Sequence, residues 1–126
     1  MKIRLLFLLF IFSPLAFSQE MDVLVAKKKA DQDERGLTKE DSTKLLQAQT
    51  LMVNSVMPEC MKSTGLQPNK SFLVVVRIGK DGNPNKSWLR GKYPLSICFE
   101  KGMTAQLKYV PKSEPFYTSF DYTFKP

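Results

Sequence analysis

The sequence predicts an α+β protein built on one small core, and three observations carry that prediction. Apolar residues from Leu45 to Met57 recur at helical spacings, Phe72 to Ile78 is an unbroken run of β-formers, and Phe116 to Phe124 alternates as a strand does. Between the two strand-like runs lies a second helical pattern that begins at Pro94.

The chain opens with a basic tip, Lys2 and Arg4, followed by an apolar stretch from Leu5 to Phe12 and small residues at Ala16 and Ser18. This is the pattern of a secretory signal peptide cut after Ser18. A retained anchor is the rival reading, but the run is far short of the roughly 20 residues a bilayer requires, and Pro14 follows it. Residues 1–18 are therefore read as a signal peptide, 19–36 as a polar arm or short helix, and 37–126 as a single α+β domain. No Cys follows the cleavage point, so a lipid anchor is not suggested. Export places the mature chain in the bacterial periplasm, an oxidising compartment where its two cysteines, Cys60 and Cys98, are expected to pair. Closing a loop of about 40 residues contributes about 4 kcal/mol in the chain-entropy account, which matters for a small domain. Two buried free thiols are the alternative.

Within the mature chain, Thr38 followed three residues later by Asp41 resembles a capping box that starts a helix. Leu45, Leu46, Met52, Val53, Val56 and Met57 mark the face this helix should bury. Pro58 is expected to kink it or start a new short helix, and Gly65 to end it. A polar loop through Pro68 and Asn69 leads to the first strand. There Phe72, Val74, Val76 and Ile78 point one way and Leu73, Val75 and Arg77 the other, so both faces need cover. Lys80-Asp81-Gly82-Asn83-Pro84 reads as a hairpin turn, Asp-Gly supplying positive φ, before a second strand from Asn85 to Arg90. Leu95, Cys98, Phe99, Met103 and Leu107 suit the following helix, which Gly102 should weaken. In the last strand Phe116, Thr118, Phe120, Tyr122 and Phe124 share a face.

Chemistry-bearing patterns are sparse. The chain has no His, which excludes Ser-His and Cys-His nucleophile pairs and the commonest metal ligand. Ser-x-x-Lys does not occur, and two separated cysteines cannot alone make a four-ligand zinc site. Asp31-Gln32-Asp33-Glu34-Arg35-Gly36 begins like a calcium loop, but Arg35 falls where an oxygen ligand belongs and Ser42 where a bidentate Glu belongs. Gly79-Lys80 lacks the upstream Gly and the hydroxyl of a phosphate loop. The reading is thus of a protein with no catalytic residues, no cofactor and no metal. Asn69-Lys70-Ser71 and Asn85-Lys86-Ser87 fit the glycosylation pattern, which acts only in a eukaryotic secretory route.

Removing Lys2 and Arg4 with the leader lowers the net charge from +7 to +5. An exported protein of that charge meets anionic surfaces and acidic proteins rather than nucleic acid. Lys86, Trp88 and Arg90 share one strand face, the only Trp lying between two cations. Either Trp88 is core with the cations running past it, or the three residues form a hot spot for an acidic partner. We assign Lys86, Trp88 and Arg90 as candidate partner-binding residues.

Cys60, Gly65, Val74, Val76, Ile78, Asp81, Gly82, Cys98 and the Phe120–Phe124 strand, taken together, resemble the TonB C-terminal-domain superfamily, most closely the AgmX/PglI-type domains, over residues 56–124. The resemblance implies a three-stranded antiparallel sheet packed on helices, to which this chain adds an N-terminal helix, and no catalytic residues. It also implies binding of a partner protein, often by pairing a segment with a sheet edge. The expected function is an exported, non-catalytic protein-binding domain, in one form an immunity or inhibitor protein against a secreted toxin or cell-wall hydrolase. Its expected partner is another periplasmic or envelope protein of acidic character, with a homodimer kept open and no membrane insertion after cleavage. The competing class is a cell-envelope enzyme or glycan-binding module using surface carboxylates and Trp88.

Overall fold

A computed structural model describes residues 21–65 and 70–123. The signal-peptide reading, the loop at Pro68 and Asn69, and Phe124 lie outside the described residues. In chain order the elements are α1 (Val23–Arg35), α2 (Lys39–Thr64), β1 (Phe72–Ile78), β2 (Pro84–Arg90), α3 (Pro94–Gln106) and β3 (Phe116–Tyr122). The strands form one antiparallel sheet with β1 in the middle, in the order β2-β1-β3. This is the expected α+β fold with an N-terminal helix.

The two apolar faces of β1 explain the layers. Phe72, Val74, Val76 and Ile78 join Leu45, Met52 and Val56 of α2 and Leu95, Phe99 and Met103 of α3 in the main core. Leu73 and Val75 are buried instead with Tyr117 under α1, whose only buried residues are Ala26 and Ala30. Two alanines on the buried face allow α1 to lie close to the sheet. Each buried Val or Leu side chain contributes about 1.5–3 kcal/mol, so both coverings matter to a sheet this small. The segment read as a polar arm or short helix is thus helical and packed, its start capped by Asp22, whose carboxylate accepts from the backbone of Leu24 and Val25 at 2.9 and 3.0 Å.

Three local expectations need correction. Of the two outcomes expected at Pro58, a new short helix does not form, and α2 runs through the proline as one element. Pro58 lies on its exposed side, where the carbonyl that loses its intrahelical partner is free to meet water, while Met57 and Cys60 on the inner side stay packed. Leu46, grouped with the buried stripe, is instead 62% exposed. Gly102 is no simple weak point of α3, because a Cβ there would come within 2.4 Å of Val56 Cγ1, so the missing side chain is what lets α2 and α3 approach.

Cys60 and Cys98 form the disulfide, with Cα atoms 5.7 Å apart, and it ties α2 to α3 beside that contact. The hairpin turn forms as expected around Gly82 at φ 89°, with Asp81 accepting from the backbone N–H of Asn83 at 3.0 Å. Pro84, however, belongs to β2, where it pairs with Ile78 at an irregularity in the register. A proline is tolerated there because β2 is an edge strand.

Candidate functional site

The pairing registers fix what surrounds the candidate binding residues. Val75 pairs with Trp88, Arg77 with Lys86 and Leu73 with Arg90, so Lys86, Trp88 and Arg90 all stand on the face that α1 partly covers. Across β1, Tyr117 pairs with Arg77 and Ser119 with Val75. The structure therefore brings Lys86, Trp88 and Arg90 together with two residues of neighbouring strands that sequence reasoning did not select, Arg77 and Tyr117. Arg77 alternates with Val75 along β1, but its place beside Lys86 depends on register, which no local pattern specifies.

Trp88 is half-buried, so it combines features of both readings. Its indole N–H donates to the Met21 carbonyl at 2.8 Å, and its ring packs near Tyr117 with centroids 5.7 Å apart. Lys86 Nζ lies 5.4 Å from the Trp88 ring centre, and Lys29 Nζ of α1 lies 5.8 Å from that of Tyr117. Asn85 Oδ1 accepts from Arg77 Nε at 2.7 Å, which fixes the guanidinium beside the strand and engages the side chain of one glycosylation-pattern asparagine. Among the described residues no carboxylate lies within ion-pair distance of Arg77, Lys86 or Arg90. Asp22, near the start of α1, is occupied by the helix cap. The result is a cationic and aromatic surface whose positive charge is left for solvent or a partner to balance.

The carboxylates of α1 and of the first turn of α2 have structural partners. Asp31 pairs with Lys27 at 2.6 Å, Glu40 with Lys44 at 3.6 Å and Asp41 with Lys112 at 3.0 Å. Asp33 accepts from the backbone N–H of Tyr117 at 2.9 Å, while Glu34 accepts from the Thr118 hydroxyl and the Ser119 N–H. Residues Asp31 to Arg35 belong to α1 and form no calcium loop. Among the described residues no three of His, Cys, Asp and Glu gather as a metal-holding group.

Among the described residues, two of the concavities apart from this surface adjoin helix contacts. One, of about 300 Å³ at the α1–α2 turn, includes Asp33, Thr38, Asp41 and Lys112. There the hydrogen bond from Lys112 holds the Asp41 carboxyl below its ordinary value, and the same bond raises the Lys112 ammonium. The other, of about 500 Å³, runs beside the disulfide between α2 and α3 and is lined mainly by apolar atoms of Val56, Pro94 and Ile97. No helix among the described residues is long and apolar enough to cross a membrane.

Comparison with protein-family models, with curated proteins and with solved structures returns no match.

Proposed function

We propose that the mature chain is an exported periplasmic protein-binding domain without catalytic activity, whose partner presents acidic side chains to the β2 face. In its most specific form the proposal is of an immunity or inhibitor protein that occupies a secreted toxin or cell-wall hydrolase. One observation carries it: Arg77, Lys86 and Arg90 stand around Trp88 on one sheet face with no paired carboxylate among the described residues. Trp and Arg are the residues most enriched at the energetic centres of protein interfaces, and unbalanced positive charge steers an acidic partner to its site. The disulfide supports an oxidising compartment. The likeness to TonB-type C-terminal domains forms part of this proposal, supported by a three-stranded antiparallel sheet on helices.

Affinity capture from the native envelope tests the proposal, with wild-type protein and the Lys86→Glu/Arg90→Glu variant as paired baits. The wild type should retain an acidic protein that the folded variant does not. Identical captured sets from the two baits would count against it.

A further inference from the structure

Helix α2 has two sides, and the fold uses only one of them. The inner side supplies Leu45, Met52, Val56 and Cys60 to the main core. On the outer side Leu46 and Leu51 are exposed, Leu51 at 73% more than any other large apolar side chain among the described residues. With Gln47 and Thr50 they line an open hollow of about 480 Å³. Thr43, Asn54 and Pro58 continue this face at helical spacings and are exposed as well. From Leu45 to Pro58 the chain carries no Asp, Glu, Lys or Arg. Two exposed leucines are ordinary on a protein surface, but here the charges that bound their face have a symmetry of their own.

Glu40 lies eleven residues before Leu51 and Lys62 eleven residues after it, both exposed and both within α2. Eleven residues make about three helical turns, so the three side chains stand on nearly one line, each charge about 16 Å from Leu51. Lys44 pairs with Glu40 at 3.6 Å but leaves that carboxylate open to a second cation. Along its length α2 sets Lys39, Lys44 and Lys62 against Glu40, Asp41 and Glu59 and so has no net charge, unlike the chain as a whole.

We infer that the outer face of α2 binds a second copy of this chain, the two helices running antiparallel about a twofold axis near Leu51. Leu51 of each copy then meets the hollow between Leu46 and Leu51 of the other, and Glu40 of each comes within a turn of Lys62 of the other. Parallel pairing would set Glu40 on Glu40 and Lys62 on Lys62, so the end charges specify direction. Charge complementarity also selects the occupant. An acidic partner or an anionic membrane gains nothing from a neutral face, whereas a second copy supplies both signs at the matching separation. The sheet lies between α2 and the surface around Trp88, so the dimer carries two cationic faces outward whatever those faces bind. One helix pair is a small interface, which places its dissociation constant at about the micromolar level or weaker.

Sedimentation equilibrium of the mature protein from about 10 to about 500 µM tests it, at low salt where charge is least screened. Wild type should show a reversible monomer–dimer equilibrium. Glu40→Lys and Lys62→Glu should each raise the dissociation constant about tenfold, because each sets like charges together at both ends of the interface. An equal mixture of these two variants should dimerise again, since each offers the charge that the other lacks, and this rescue does not depend on what either substitution does within its own helix. Leu51→Glu should remove the dimer and leave the melting temperature of dilute protein unchanged. A wild type monomeric throughout that range, a dimer that neither charge variant weakens, or a weakened dimer that mixing does not restore would each overturn the inference. With the wild type monomeric, loss on Leu51→Glu of binding to phosphatidylglycerol vesicles or to the captured partner would assign the face to that occupant instead.

Discussion

Asp41 shows how a single residue couples the packing of this protein to pH. Its side chain is 7% exposed, and Lys112, 73% exposed, reaches over to it from the segment before β3. Because the folded Asp41 carboxyl lies below its ordinary value of 3.8, its contribution to stability is present above that value and is lost as pH falls through the lower folded value. Lys112 is raised above 10.5, so its contribution is complete below that value and is lost as pH rises through the higher folded one. Lys112→Ala should therefore lower the melting temperature at pH 7 and reduce the acid-side loss below pH 4, read from melting curves across pH. Gly102 makes a second prediction of opposite appearance. Alanine is the better helix former, yet Gly102→Ala should destabilise by about 1–3 kcal/mol in chemical denaturation, because the added carbon meets Val56. The sequence contains the glycine but not its neighbour across the helix pair, and for that reason its role was legible only in three dimensions.

At the scale of elements, what was legible followed from periodicity. The alternation along β1 and β3 and the helical spacing in α2 each reflect a face that must be buried, and that requirement acts through the local chain. Boundaries and continuity depend on more distant contacts. Pro58 reads as a break, yet α2 continues because the proline faces outward and the inner residues on both sides of it are packed, with Cys60 covalently joined to α3. The same distinction applies to the candidate site. Lys86, Trp88 and Arg90 could be placed on one face from strand alternation alone, whereas Arg77, Tyr117 and Lys29 join them only through the register of three strands and the path of α1. Because the disulfide links the two helices that cover one side of the sheet, Cys60→Ser should cost about 2–4 kcal/mol in denaturant unfolding. Intact-mass analysis of protein from the native compartment should find no free thiol.

On the scale of the molecule, the helices divide two tasks. The α2–α3 pair, fixed by the disulfide and the Gly102 contact, supplies the main core for one face of the sheet. α1 covers part of the other face with two alanines and closes the β3 edge with Asp33 and Glu34, but leaves the cations of β1 and β2 around Trp88 without acidic partners among the described residues. That unbalanced positive charge is the feature on which the proposal of an acidic partner rests. The most direct measurement of this account is a charge exchange with the captured partner. Lys86→Glu/Arg90→Glu should weaken the complex by at least about tenfold, near 1.4 kcal/mol, and replacing the facing acids of the partner by lysine should restore it. A complex whose affinity is unchanged by the reversal would contradict the account.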